Sequence, residues 1–317
     1  MHVSDETFAV VFPGQGSQSA GMADPWAVHP VGSAVLDEAS AALGMDIAAG
    51  CHDESLLATT EFVQPALLAC EVAAFRVLDA EGVAFVGAAG HSLGEFSALV
   101  AAGVMGLSDA LDLVIVRGRA MQRAGEERPG TMTALLGVDA AAAGALCDEA
   151  RENDVLIVAN ENSPVQVVIS GSIPAIERVE ALAAARRTRA IRLNVAGAFH
   201  SELMEPAVAP ILERLASIDF ASPRFPVAEN VTGELVADPD ELRTLLGRHV
   251  VSPVRWGSCA RSLAAAGATV FIEAGPGDVL TKLAKRVVPD ATAVAVGSPD
   301  AIRSLTDSGP TGGPAAL

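Results

Sequence analysis

One short segment, Gly-His-Ser-Leu-Gly at residues 90–94, constrains the fold of this chain more than any other feature. It follows an apolar run at residues 83–88 that has the length of a buried parallel strand. It precedes helix-forming residues at 95–102. Between a strand and a helix, this pattern is typical of a nucleophile elbow, in which glycines allow a sharp turn that exposes the serine hydroxyl. The pattern predicts a parallel α/β fold with Ser92 as nucleophile, although a glycine-bracketed serine in an ordinary βα loop has the same sequence.

The composition argues against two classes of protein. The 317 residues carry a formal net charge of −18, from 21 basic and 39 acidic side chains. A nucleic-acid-binding protein needs a basic surface to neutralise phosphates, so the acidic charge argues against this class. The longest apolar stretches, such as residues 98–104, are too short to span a bilayer, which argues against a membrane protein. The N-terminus lacks the basic start and long apolar core of a secretory signal, and we expect a cytoplasmic protein.

The spacings of the cysteines and histidines predict neither a metal site nor a disulfide framework. The chain has four cysteines without a Cys-x-x-Cys pair, and its six histidines form no His-x-x-x-His pattern. Zinc and redox sites need such short paired spacings. We therefore expect no bound metal, and we expect buried, reduced thiols at Cys51, Cys70, Cys147 and Cys259.

The order of the predicted elements divides the chain into two domains. Residues 131–195 predict strand, helix, strand, strand, helix and strand, an order typical of a ferredoxin-like domain. Residues 1–130 and 196–297 together predict a larger, discontinuous α/β domain, so the ferredoxin-like unit is an insertion in it. In the larger domain a helix is predicted over residues 65–80, because proline is favoured at the first helical position. Residues 298–317 are rich in Gly, Pro, Ser and Asp, and we expect this tail to be disordered.

Two further side chains are candidates to act with Ser92. His200 follows a strand-like run within Gly-Ala-Phe-His-Ser at residues 197–201, and a neutral imidazole is the best general base for a serine near pH 7. A lone histidine is nevertheless more often an ordinary surface or hydrogen-bonded residue. Arg117 lies on a partly apolar helical stripe, which points it inward. A buried guanidinium needs an anion, and either a substrate carboxylate or an internal Asp or Glu satisfies this need.

Together these segments resemble the malonyl-CoA:acyl-carrier-protein transacylase family, which includes the acyltransferase units of polyketide synthases. The shared motifs lie in order along nearly the whole chain, at residues 12–18, 64–65, 90–95, 117, 160–171, 197–201, 253–256 and 275–277. The pentapeptide by itself is a weak signal, whereas several ordered motifs with consistent spacing are specific. The resemblance implies an α/β-hydrolase-like core with a parallel sheet and an inserted ferredoxin-like small subdomain, in agreement with the order of the predicted elements.

The resemblance also implies a ping-pong acyl transfer. Ser92 would take the malonyl group from malonyl-CoA, and His200 would deprotonate the serine and later protonate the leaving thiolate. The acyl group would then pass to the phosphopantetheine thiol of an acyl carrier protein. The backbone N–H groups of Gln15 and Leu93 would form the oxyanion hole. Malonyl-CoA is a substrate in this reaction, so no cofactor is implied.

Three more residues take their roles from the resemblance. Arg117 would bind the free carboxylate of the malonyl group. A backbone carbonyl orients the catalytic imidazole in this family, and here it belongs to His249, at a position that other members fill with glutamine. Phe199 would leave little room for an α-methyl branch. Phe199 and Leu93 both match members that select malonyl over methylmalonyl groups.

Other interpretations stay open beside this one. A serine hydrolase or thioesterase acting on acyl-CoA or acyl-carrier substrates uses the same elbow, although the chain lacks the His-Gly-Gly-Gly motif that forms the oxyanion hole of many esterases. A non-catalytic, carrier-binding subunit is another class. No feature demands more than a monomer, and the resemblance covers enzymes of both fatty acid and polyketide biosynthesis. Four arginines within residues 186–192 form either a solvated, charged turn or a docking patch for an anionic partner.

Overall fold

Within residues 6–308, which the computed structural model describes, ten strands form two sheets. The strands are β1 (Phe8–Phe12), β2 (Phe85–Gly90), β3 (Gly130–Leu136), β4 (Leu156–Ser163), β5 (Gln166–Ser172), β6 (Arg189–Arg192), β7 (Val227–Ala228), β8 (Leu235–Val236), β9 (Val270–Ala274) and β10 (Thr292–Val296). The larger sheet has the order β10-β9-β1-β2-β7-β8. Its neighbouring strands run parallel, except that β8 is antiparallel to β7. The smaller sheet is antiparallel, with the order β4-β5-β3-β6.

Helices of the larger domain pack on both faces of the larger sheet. The described residues contain fourteen α-helices in all, including the two of the inserted unit. They are α1 (Asp24–Ala27), α2 (Pro30–Leu43), α3 (Ile47–Gly50), α4 (Glu54–Leu57), α5 (Thr60–Ala80), α6 (Gly94–Ala101), α7 (Leu107–Glu127), α8 (Ala140–Ala150), α9 (Ile173–Ala185), α10 (Val208–Leu215), α11 (Pro239–Arg248), α12 (Trp256–Ala265), α13 (Val279–Val287) and α14 (Pro299–Ser308). None of these helices is long and apolar enough to cross a membrane.

Alternate side chains of β1 enter two different apolar cores, because each face of the sheet packs against a different group of helices. Val10 and Phe12 belong to the larger apolar core, which includes residues of α5, α6 and α7. Ala9 and Val11 belong to a second core, which includes residues of α12 and α13. A strand that is buried on both faces has no solvent-facing position, which explains its continuous apolar sequence.

The smaller sheet forms the inserted unit. Its strands alternate with α8 and α9 in the ferredoxin-like order, so the predicted mixed α/β fold with a parallel sheet and a ferredoxin-like insertion is confirmed. Leu135 and Ile169 pack with the two helices in a core of their own. Ala134 and Val168, one residue away on each strand, face the opposite side and line a cavity against the larger domain. The insertion therefore supplies one wall of that cavity.

The expectation of a disordered tail from residue 298 is wrong for its first part. Residues 299–308 form α14, which packs against α5 and β10. The helix starts where the backbone N–H of Ala301 donates to the hydroxyl of Ser298 at 3.2 Å, and Ile302 on its inner side is fully buried. Because the segment is rich in polar residues, the sequence did not indicate this short amphipathic helix and its serine cap. Residues 309–317 lie outside the described residues.

The start of α5 also differs from the prediction. The helix begins at Thr60, so Pro65 lies inside it rather than at its first position. Proline lacks the N–H that would donate to the carbonyl four residues earlier. The helix continues through Pro65 because it is buried along nearly its whole length, and packing there outweighs local propensity. Because α5 begins before Pro65, Gln64 also lies on this helix, and its side chain is buried.

Candidate active site

Ser92 lies in a sharp turn between β2 and α6. Its backbone φ is 53°, in the left-handed region that residues other than glycine rarely adopt. The flanking glycines make the turn possible. A Cβ on Gly90 would lie 1.8 Å from the carbonyl carbon of Gly94, and a Cβ on Gly94 would lie 2.1 Å from the carbonyl oxygen of Phe12. The turn has the geometry of the nucleophile elbow that the sequence predicts.

The imidazole of His200 contacts this serine. The distance from Nε2 of His200 to Oγ of Ser92 is 2.8 Å. The other ring nitrogen, Nδ1, lies 3.1 Å from the backbone carbonyl oxygens of both His249 and Ser252. Carbonyl oxygens only accept, so Nδ1 carries the hydrogen and Nε2 is left to accept the serine proton. The carbonyl of His249 lies where the sequence predicts, whereas no sequence signal indicated Ser252.

The protonation state of His200 follows from its surroundings. Burial, reinforced by the positive charge of Arg117, lowers the pKa of His200 to about 3. The two carbonyl acceptors at Nδ1 favour the protonated form and only partly offset this effect. The imidazole is therefore neutral at physiological pH, which is the state that can accept a proton from Ser92.

The guanidinium of Arg117, on α7, lies against the hydroxyl of Ser92 and is almost fully buried. Its Nη2 donates to Oγ of Ser92 at 3.0 Å, and its Nη1 donates to Oε1 of Gln64 at 2.8 Å. Its Nε has no hydrogen-bond partner among the described residues. Both hydrogen-bond partners are neutral side chains, and among the described residues Arg117 forms no ion pair within 4.0 Å. Burial lowers the pKa of Arg117 to about 10, and the group stays cationic at neutral pH.

Gln15 and Leu93 line the cavity beside Ser92. Leu93 directly precedes α6, and Gln15 lies in the loop that follows β1. This loop packs closely on the elbow, since a Cβ on Gly14 would lie 2.5 Å from the carbonyl oxygen of His91. In the part of the chain that the structure describes, the backbone N–H groups of Gln15 and Leu93 donate to no protein acceptor. Both groups are free to donate to a substrate oxygen.

The cavity that holds these groups has a volume of about 250 Å³ and lies between the two domains. Phe199, next to His200, is mostly buried and forms part of the cavity wall. The wall is otherwise largely apolar, and its apolar residues include Met121, Met132, Ala134, Val168, Leu193 and Val195. A site with a few convergent polar groups in an apolar wall is typical of small-molecule binding.

Two polar residues of the site were not among the predicted site residues. Gln64 holds Arg117, and its only signal was its place in a motif shared with the family that the chain resembles. Asn230 is fully buried and accepts a hydrogen bond from the backbone N–H of Ser92 at 2.8 Å. It follows β7, a strand of two residues that is too short to recognise from hydrophobic periodicity.

Two of the four arginines at residues 186–192 form ion pairs with glutamates of the insertion. Arg186 pairs with Glu149, and Arg192 pairs with Glu180 at 2.5 Å. These contacts favour a solvated, charged turn over a dedicated docking patch. The four cysteines are buried and free, as the sequence predicts. Among residues 6–308 no group of three His, Cys, Asp or Glu side chains is arranged to hold a metal ion.

Known proteins similar to this chain match it along nearly its whole length. The family model described as "Acyl transferase domain" matches residues 9–307. A malonyl CoA-acyl carrier protein transacylase from Escherichia coli O157:H7 is 45% identical over 307 residues, which is 95% of this chain and 99% of the relative.

Solved structures show the same fold. An acyl carrier protein S-malonyltransferase from Vibrio cholerae superimposes with a TM-score of 0.90 at 40% identity, and the match covers 95% of this chain and 100% of the other. A type II PKS acyl-carrier protein in complex with its malonyl-transacylase matches with a TM-score of 0.92 at 39% identity, over 96% of this chain and 100% of the other. Matches of this extent include both the larger domain and the insertion.

Proposed function

The chain belongs to the malonyl-CoA–acyl carrier protein transacylases of the acyl transferase family, and we propose that Ser92 carries the malonyl group between the two thiols of that reaction. The enzyme moves a malonyl group from malonyl-CoA to an acyl carrier protein. The observation that supports the role of Ser92 is its double contact: Oγ lies 2.8 Å from Nε2 of His200 and 3.0 Å from Nη2 of Arg117. A base and a fixed positive charge therefore meet at one hydroxyl.

In the first half-reaction, Nε2 of His200 takes the hydroxyl proton while Oγ of Ser92 attacks the thioester carbonyl of malonyl-CoA. The carbonyl oxygen becomes an oxyanion, which accepts hydrogen bonds from the backbone N–H groups of Gln15 and Leu93. When the tetrahedral intermediate collapses, the carbon–sulfur bond breaks and His200 gives its proton to the CoA thiolate. The products are a malonyl ester on Ser92, free CoA and a neutral imidazole.

In the second half-reaction, the same groups act in reverse. The thiol of the acyl carrier protein gives its proton to His200 while its sulfur attacks the ester carbonyl. The bond between that carbonyl carbon and Oγ of Ser92 breaks, and the serine takes the proton back from His200. We propose that no cofactor takes part, because these groups account for every bond and proton in the cycle.

Arg117 selects the acyl group by its charge. The guanidinium is buried beside Oγ of Ser92, where the free carboxylate of a malonyl ester can reach it. Gln64 fixes Nη1 at 2.8 Å and so limits the orientations of the guanidinium. A carboxylate that accepts two charge-assisted hydrogen bonds gains about 1.5–3 kcal/mol from each. An acetyl group offers no such acceptor.

Phe199 selects the acyl group by its size. Its ring is held in the cavity wall one residue before His200. An α-methyl branch on the acyl group would need the volume that this ring fills. A pocket that rejects one methyl group discriminates by about 1–3 kcal/mol, which is a smaller effect than the loss of a charge pair.

Intact-mass spectrometry tests the proposed intermediate and separates transferase from hydrolase. The wild-type enzyme incubated with malonyl-CoA should gain the mass of one malonyl group, and Ser92→Ala should gain none. The malonyl-enzyme should persist in buffer and discharge when acyl carrier protein is added. Rapid release of free malonate without carrier protein would favour the hydrolase alternative instead.

We further propose that the enzyme acts as a monomer, because a single chain supplies the nucleophile, the base, the arginine and both walls of the cavity. Light scattering after size-exclusion chromatography measures the mass in solution, and a constant dimer mass at low concentration would contradict this. A cytoplasmic location stays a prediction, and the buried free thiols are in keeping with a reducing compartment.

A further inference from the structure

Asn230 has no role in the reaction described above, yet it contacts the backbone of the nucleophile elbow at two points. Its Nδ2 donates to the carbonyl oxygen of Gly90 at 2.7 Å, and its Oδ1 accepts from the backbone N–H of Ser92 at 2.8 Å. A carbonyl on one side and an N–H on the other fix which amide atom is oxygen and which is nitrogen. One fully buried side chain therefore holds the backbone that leads into the turn.

The same amide also contacts the residue that orients the base. Its Oδ1 lies 3.2 Å from Nε2 of His249. Because Oδ1 only accepts, Nε2 of His249 carries the hydrogen, and Nδ1 is the ring nitrogen left without a partner. The backbone carbonyl of His249 in turn accepts from Nδ1 of His200 at 3.1 Å. The contacts close a ring from Ser92 through Asn230, His249 and His200 back to the hydroxyl of Ser92.

The backbone of Asn230 is also held by hydrogen bonds, through both its N–H and its carbonyl group. Its N–H donates to Oε2 of Glu95, which is buried in α6, at 2.8 Å. Its carbonyl oxygen accepts from the N–H of Arg255 at 2.9 Å, just before α12. Contacts of this kind hold a supporting residue in one orientation. The ring is therefore anchored to two helices of the larger domain.

We propose that Asn230 is a positioning residue that sets the distance between the hydroxyl of Ser92 and the imidazole of His200. The inference rests on the acyl transfer through Ser92 proposed above. Both residues have strained backbones, with φ of 53° at Ser92 and 60° at His200, and such conformations persist only where surrounding contacts impose them. The ring through Asn230 supplies contacts at both ends of the pair. A displacement of about 1 Å between reacting groups costs about 100-fold in rate.

The experiment measures the single-turnover rate at which malonyl-CoA acylates the enzyme, the final acylated fraction and the Kd for malonyl-CoA. Asn230→Leu removes all three side-chain hydrogen bonds at similar volume. We expect acylation about 100-fold slower, with an unchanged Kd and full acylation at the end. A purely structural role would lower the acylated fraction or the Tm and leave the rate of the folded enzyme unchanged.

Ser97→Ala is the matched control. It removes a buried hydrogen bond of 2.5 Å to Glu71 from the same helix that follows the elbow. The hydroxyl of Ser97 forms no hydrogen bond to any of the four residues of the ring, all of which the structure describes. We expect this variant to lower the Tm and to keep the wild-type acylation rate.

His249 provides an independent pair of variants, which decides the question if Asn230→Leu does not fold. His249→Leu removes the contact to Asn230 and keeps the backbone carbonyl that faces His200. The loss of one hydrogen bond should slow acylation by up to about tenfold. In His249→Gln an amide N–H can again donate to Oδ1 of Asn230, and most of the lost rate should return.

Several results would overturn the proposal. These are a folded Asn230→Leu enzyme with the wild-type acylation rate, a His249→Leu enzyme with that rate, or a Ser97→Ala enzyme slowed as much as Asn230→Leu. If the wild-type enzyme takes up no malonyl group at all, the proposed function fails instead. The two failures are therefore distinguishable in one set of measurements.

Discussion

Arg117 donates a hydrogen bond of 3.0 Å to the hydroxyl oxygen of Ser92, so the charge that we propose binds the malonyl carboxylate also touches the proposed nucleophile. The same charge contributes to the low pKa of His200. A malonyl carboxylate bound to the guanidinium would offset this charge and raise the pKa of the imidazole. The base would then become stronger when the correct acyl group is present, so that recognition and proton transfer are coupled through one side chain.

The first prediction concerns the choice between malonyl and acetyl groups. Arg117→Ala should lower kcat/KM for malonyl-CoA about 100-fold or more relative to acetyl-CoA, because two charge-assisted hydrogen bonds are lost. Steady-state assays with both acyl-CoA substrates give the ratio. Arg119→Ala is the control, since this exposed arginine on the same helix forms an ion pair with Glu61 at 2.6 Å, on the protein surface. Equal losses for both acyl groups would remove Arg117 from carboxylate recognition.

The second prediction concerns the base. His200→Ala should slow the acylation of Ser92 by about 10²–10⁴-fold, the usual contribution of general base catalysis. Rapid-quench mass spectrometry follows the malonyl-enzyme over time. His52→Ala serves for comparison, because that histidine is exposed and contacts Asp24 at 2.9 Å, far along the chain from the elbow. Acylation of His200→Ala at the wild-type rate would show that another group takes the proton.

Features encoded within a few consecutive residues were predictable from the sequence. The elbow at Ser92 needs two glycines at fixed offsets, and the close contacts at Gly90 and Gly94 show why. The alternating strands and helices of the insertion follow equally from local hydrophobic periodicity. The elbow and the elements of the insertion were predictable because each is determined by the residues within its own segment.

Features that depend on contacts across the fold were not predictable. Asn230 reaches Ser92 from 138 residues away, and Ser252 reaches His200 from 52 residues away. No local pattern marks either residue, because the contact exists only once the sheet is assembled. Pro65 inside α5 has the same explanation, since tertiary burial there overrides a local helix-start signal.

The third prediction concerns pH and activity. With a pKa of about 3, His200 is in its basic form throughout the range from pH 8 to pH 5. The second-order rate constant for acylation reports the free enzyme, and it should stay nearly constant over this range. A histidine with an ordinary pKa of about 6.5 would lose about 30-fold at pH 5. Such a decrease, in enzyme that circular dichroism shows to be folded at pH 5, would contradict the buried, neutral base.

The fourth prediction concerns the size of the acyl group. Phe199→Ala should open the cavity wall beside His200 and admit an α-methyl branch. The ratio of kcat/KM for methylmalonyl-CoA to that for malonyl-CoA should rise by about 10–200-fold, the usual range for one methyl group in an apolar pocket. Competition between the two substrates, read by the mass of the acyl-enzyme, measures this ratio directly. An unchanged ratio would assign the exclusion of branched groups to another part of the wall.

The raised pKa of the buried Glu95 carboxyl makes the stability of the enzyme depend on pH. Burial, followed by the negative charge of Glu229, raises the pKa of Glu95 from its ordinary value of 4.5 to about 8. Between these two values the folded enzyme holds a proton at Glu95 and the unfolded chain does not. The contribution of Glu95 to the free energy of unfolding is therefore fully present below pH 4.5, and it is lost as the pH rises through about 8.

The fifth prediction concerns this decrease in the free energy of unfolding with rising pH. Glu95→Gln keeps an oxygen that can accept from the N–H of Asn230 and removes the titration. The free energy of unfolding of the wild type, minus that of Glu95→Gln, should fall by up to about 1.4 kcal/mol per pH unit as the pH rises from 4.5 to 8. Urea titrations of both proteins across this range measure the difference. The subtraction also removes most of the opposite trend from His91, His200 and His249, whose pKa values burial lowers. A constant difference across the range would mean that Glu95 is ionised in the folded enzyme, where its charge would be only 3.8 Å from the imidazole of His249.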